Sequence, residues 1–139
     1  MAVGERLLFV YGTLLSGESE HARLCGAVRI GEARTEPTFQ LVDLGPYPAL
    51  VPDGKTAVAG EVYRVDAPKL RELDVFEEVP ILFKRARVRL EDGSLADAYV
   101  MEPDQARGRR RIAQGDWRKR MTPAVRPHNS PFARWARGR

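Results

Sequence analysis

The chain has 139 residues and one cysteine, Cys25, enough length for one domain with a sizeable core and too few thiols for a disulfide framework. No apolar run reaches membrane-spanning length and no charged-then-apolar leader opens the chain, so a cytoplasmic protein with no membrane partner is expected. The net charge of +4 hides an asymmetry: eleven of the 23 basic residues but one of the 19 acidic residues fall from Arg107 onward, giving an acidic body at −6 and a basic end at +10.

In chain order, Leu7, Leu8, Phe9 and Val10 are four consecutive apolar residues, too many for a strand with one wet face, and predict a strand buried on both sides. Tyr11-Gly12-Thr13-Leu14 follows. Gly12 permits a sharp turn with no Cβ in the way, and a core strand ending there either closes in an ordinary turn or presents free main-chain N–H groups to an anion or oxyanion. Ser16 to Glu20 reads as a polar loop, and His21 to Cys25 as a short helix or turn ending at Gly26.

Val28–Ile30 and Thr38–Val42 alternate as strands do. Three prolines between Pro46 and Pro52 predict a stiff extended loop suited to a pocket wall or a surface connection. Thr56 to Val65 is rich in small and β-branched residues and reads as a further strand.

Asp66 to Pro80 predicts a short helix, with Asp66 as N-cap, Pro68 in the first turn and Pro80 beyond the end. Leu70, Leu73 and Glu77 are spaced three and four apart, so the Glu77 carboxylate falls on the leucine stripe. Desolvation there favours the neutral acid and suits Glu77 to proton transfer near neutrality. The alternative is a helix-end glutamate turned to water or paired with Arg85 or Arg87.

Phe83 to Leu90 has a near-perfect period of two, with Ala86, Val88 and Leu90 on one face and three arginines on the other. Glu91-Asp92-Gly93-Ser94 predicts a hairpin turn, and Leu95 to Met101 the return strand. Beyond Pro103 the one landmark is Gly115-Asp116-Trp117-Arg118, where Trp117, with Trp135 farther on, reads as a packing anchor. These elements make an α+β fold with a small mixed β-barrel-like sheet and flanking short helices.

His21, His128 and Cys25 do not stand at metal-ligand spacing, no nucleophile elbow or phosphate-cradling glycine loop is present, and neither a metal nor a cofactor is expected. The acidic cluster of Glu72, Asp74, Glu77 and Glu78 is spread over more than one helix face, against a glycosidase pair or cation site. The chemistry left is one proton-transfer carboxylate beside a main-chain anion site.

Leu8 to Leu14, Pro46 to Leu50, Gly60-Glu61-Val62-Tyr63 with Val65-Asp66, and Leu73 to Glu77 followed by Phe83-Lys84-Arg85 together resemble the gamma-glutamylcyclotransferase-like family, most of all its gamma-glutamylamine cyclotransferase branch. The resemblance spans roughly residues 7–118 and implies a domain over residues 1–118 followed by a basic tail over 119–139. It implies a cofactor-free reaction on a small γ-glutamyl amine, amino acid or peptide: the free α-amine attacks its own side-chain carbonyl, closes 5-oxoproline and expels an amine. It also implies that Glu77 is the catalytic acid/base and that Tyr11, Gly12, Thr13 and Leu14 bind substrate. The chain departs from the family pattern at Phe83, where tyrosine is frequent, and at Glu78, where glycine or another small residue is. The rival readings are a non-catalytic ligand-binding member of the same fold and an RNA-associated protein that uses the arginine-rich tail.

Overall fold

The computed structural model describes residues 4–120. Eight strands form one mixed sheet: β1 (Arg6–Val10), β2 (Val28–Arg34), β3 (Phe39–Asp43), β4 (Pro48–Pro52), β5 (Ala59–Val65), β6 (Lys84–Arg89), β7 (Leu95–Val100) and β8 (Arg110–Arg111). One α-helix, α1 (Ala67–Phe76), links β5 to β6, and short 3-10 turns occupy His21–Leu24, Pro103–Ala106 and Trp117–Lys119.

β1 runs antiparallel to β5 and parallel to β7, and Leu8, Phe9 and Val10 are buried. That interior position explains their unbroken apolar run. On β6, Val88 and the following Leu90 face the core, and β6 pairs with β7 through the expected hairpin, with Gly93 at φ +88°.

The sheet does not close into a barrel. β6 pairs along the whole of β7, while β1 at Asp97 and β4 at Val100 share the opposite edge, so the sheet forks there instead of continuing round. Its curl brings β2 back toward β6 by one isolated bridge, Thr35 to Leu90, in place of the ladder a closed barrel requires.

Two further expectations are corrected. The proline-rich stretch is in part a central strand: β4 pairs with β3 and β7, and its Ala49, Leu50 and Val51 are fully buried. Its prolines fall at the two ends, Pro48 and Pro52, which leaves the intervening amides free to join the ladder. The helix also ends before Pro80. Asp66 caps its start by accepting from the Lys69 N–H at 2.9 Å, but α1 stops at Phe76 and Glu77 is its C-cap, because Glu78 turns into the left-handed region at φ +55°.

Trp117 is buried as an anchor. Trp135, and almost all of the basic tail with its nucleic-acid reading, lie outside the described residues. Among the described residues no helix is long and apolar enough to cross a membrane.

Candidate active site

Where β1 leaves the sheet, Tyr11, Gly12, Thr13 and Leu14 line a cavity whose other walls are Phe9, Val10, Tyr47, Pro48, Phe83, Tyr99 and Glu77. All five site residues expected from the sequence therefore face one hollow. It is narrow, about 20 Å³, and Tyr47 is half-buried at its edge with its ring centroid 6.1 Å from that of Phe83.

The turn is held by its carbonyls. The Gly12 carbonyl accepts from Leu15 N–H at 3.0 Å and the Thr13 carbonyl from Glu20 N–H at 2.8 Å, while the Leu14 carbonyl lies 2.9 Å from His21 Nδ1. C=O and N–H point opposite ways across a trans peptide, so fixing the carbonyls of residues 12 and 13 fixes the N–H groups of residues 13 and 14. The N–H groups of Gly12, Thr13 and Leu14 donate to no acceptor among the described residues. Gly12 is required by space more than by its dihedrals: a Cβ there would stand 2.6 Å from Pro48 Cγ.

Glu77 reaches the cavity from the end of α1 and is 8 % exposed. Its N–H bonds the Leu73 carbonyl at 2.8 Å, so the i, i+4 spacing that put it on the leucine stripe holds although the helix stops one residue earlier. Arg85 and Arg87 do not serve as its partners. Arg85 grips both oxygens of Asp74, at 2.9 and 3.2 Å, and reaches Asp97 at 3.1 Å, while Arg87 lies 3.5 Å from Asp97.

Sequence reasoning missed Tyr99. Its hydroxyl donates to Asp74 Oδ1 at 2.7 Å, and its carbonyl accepts from the Tyr11 hydroxyl at 2.6 Å. Burial foremost, then the Asp74 hydrogen bond and the charges of Asp74 and Glu77, push its phenol far above the usual tyrosine range. It stays protonated, with its hydrogen directed to Asp74. Strand periodicity placed Tyr99 in a strand but carried no sign of a cavity; only the packing of β7 beside β1 brings it there.

The cavity is lined by one acid, by aromatic and aliphatic residues and by the Gly12-Thr13-Leu14 turn, with no lysine or arginine among the described residues. No group of His, Cys, Asp or Glu among the described residues is arranged to hold a metal ion.

Residues 8–119 match the family model described as gamma-glutamyl cyclotransferase, AIG2-like. The chain is 40% identical over 117 residues to a putative gamma-glutamylcyclotransferase of Vibrio cholerae, covering 84% of this chain and 99% of that one. It is 35% identical over 106 residues to gamma-glutamylaminecyclotransferase A of Danio rerio, covering 67% of this chain and 66% of that one. Among solved structures, c4763, a uropathogenic E. coli-specific protein, superposes with a TM-score of 0.73 at 26% identity, covering 86% of this chain and 95% of that one.

Proposed function

The chain belongs to the gamma-glutamyl cyclotransferase, AIG2-like family, and on that premise we propose that it releases 5-oxoproline from a small γ-glutamyl amine. The observation that carries this reading is the placement of Glu77 and of the Gly12-Thr13-Leu14 turn, whose N–H groups donate to no acceptor among the described residues, around one cavity.

In the proposed reaction the substrate's α-ammonium gives a proton to the Glu77 carboxylate, and the freed amine attacks the side-chain carbonyl carbon. As the bond to the leaving nitrogen breaks, Glu77 returns that proton to it. The ring nitrogen sheds its second proton and the released amine takes one up, so the balance closes. The attack is intramolecular, so the work left to the protein is to hold the chain curled, and effective molarities on the order of 10⁵ M are within reach of well-oriented groups.

The N–H groups of residues 12–14 take the substrate's α-carboxylate, as orphan main-chain donors do elsewhere. The likeness to gamma-glutamylaminecyclotransferase A supports an amine as the leaving group.

The test is to incubate the purified protein with γ-glutamyl amines, amino acids and peptides and to assay 5-oxoproline. Release from the amines, and slower release from the amino acids and peptides, supports the proposal. Binding without 5-oxoproline would favour the ligand-binding alternative.

A further inference from the structure

Beyond the cavity, the buried carboxylates Glu61 and Asp97 have no place in the proton transfer, and Glu61 is the one that grips the turn. Glu61 lies on β5 directly across the ladder from Val10, the last residue of β1, and is 1 % exposed. Five donors converge on it: Ser16 N–H at 3.0 Å, Ser16 Oγ at 2.7 Å, Tyr63 hydroxyl at 2.9 Å, Arg118 Nη2 at 2.9 Å and Arg29 Nη2 at 3.4 Å. Val10 and Ser16 bracket the turn that presents the undonated N–H groups. One side chain thus stands beside the start of that turn and grips its end.

Arg118 completes the grip. Its Nη2 also reaches the Ser16 carbonyl at 2.7 Å and Ser16 Oγ at 3.0 Å. It is delivered by the Gly115-Asp116-Trp117-Arg118 landmark, whose Trp117 is the buried anchor. Gly115 is left-handed at φ +67°, and a Cβ there would meet the Ala57 carbonyl oxygen at 2.4 Å. Its own carbonyl accepts from Ala59 N–H at 2.8 Å, the Asp116 side chain caps the Arg118 N–H at 3.0 Å, and Trp117 Nε1 donates to Glu18 Oε1 at 3.2 Å. This segment is laid over the far side of the substrate turn.

We infer that Glu61, Ser16 and Arg118 form a clamp of positioning residues that holds the 11–14 turn with its N–H groups toward the substrate carboxylate. The clamp touches no reacting atom and acts through the turn alone; its effect on turnover rests on the function proposed above. A main-chain anion site binds well only when its donors are already aimed, because otherwise ordering them is charged to each binding event.

Arg118 is the residue to change, since its side chain is 36 % exposed and the buried carboxylate keeps four other donors without it. Arg118→Ala is expected to raise KM for a γ-glutamyl amine about tenfold, the scale of a charge-assisted hydrogen bond, with kcat within about twofold. In the Arg118→Ala background, Ser16→Ala should cost much less than in the wild type, because both act on one contact. Hydrogen exchange provides a readout independent of turnover: the amides of Leu15, Ser16 and Glu20, which close the turn, should exchange faster in Arg118→Ala while those of β1 do not. An unchanged KM, or kcat falling in place of a rise in KM, would overturn the clamp. So would unchanged exchange at those three amides, or exchange speeded equally across β1 and β5. If the wild-type protein released no 5-oxoproline, the proposed function would fall, and the exchange comparison would still decide the clamp.

Discussion

Gly12 and Pro48 touch so closely that no side chain fits between them: a Cβ on Gly12 would lie 2.6 Å from Pro48 Cγ and 2.7 Å from Cδ. Pro48 opens a central strand and cannot move aside cheaply, so the contact sets where the substrate turn sits relative to β4. Gly12→Ala should lower stability by about 1–3 kcal/mol, the usual range for overpacking. It should also cut kcat/KM at least about tenfold, since displacements on the order of 1 Å cost that much or more. Denaturant melts and steady-state rates check both, and an alanine variant with wild-type kcat/KM would show that the turn tolerates the shift.

Glu78 holds φ +55° immediately after the residue proposed as acid/base. For an L-residue with a long side chain that conformation costs roughly 1 kcal/mol that glycine does not incur. Its N–H bonds the Val75 carbonyl and its carbonyl accepts from Ile81 and Leu82, so the backbone is held there whatever the side chain. Glu78→Gly should raise unfolding stability by up to about 1 kcal/mol and leave kcat within about twofold. A loss of stability in urea titration would mean that the glutamate side chain contributes more than its conformation costs.

Glu61 gives a pH signature. Burial is the strongest single influence and pushes its pKa up, but the hydrogen bonds from Ser16, Arg118 and Tyr63 together outweigh it and hold the carboxyl at about 2, against an ordinary 4.5. A folded value below the unfolded one means the stabilisation is fully present above pH 4.5 and is lost as pH falls toward about 2. Urea unfolding of wild type and Glu61→Gln across that window should show a steeper acid loss in the wild type. Parallel slopes would contradict the assignment.

Much of the site was legible in the sequence because it depends on local spacing. Glu77 follows Leu73 by four residues, and that interval survives even though the helix ends at Phe76. The unbroken run Leu7-Leu8-Phe9-Val10 announces an interior strand, which holds for Leu8, Phe9 and Val10 while Leu7, nearer the strand's start, is half-buried. What was not legible depends on which distant strands become neighbours. Three prolines between Pro46 and Pro52 point to a loop, yet Pro48 and Pro52 stand at the ends of β4 and leave the amides between them to the ladder. Tyr99 enters the cavity because β7 lies beside β1, a pairing no alternation pattern specifies. Glu61 stood in a recognisable block, but its five donors come from residues 16, 29, 63 and 118 and meet only in the folded chain.

The most direct measurement of the central claim is the rate of 5-oxoproline release by Glu77→Gln beside the wild type, on one γ-glutamyl amine at one pH. Glutamine keeps the size and position of the side chain but cannot carry the proton. The rate is predicted to fall by about 10²-fold or more, the usual share of a positioned acid/base, with the melting temperature little changed. A Glu77→Gln protein that closes the ring at the wild-type rate would contradict it.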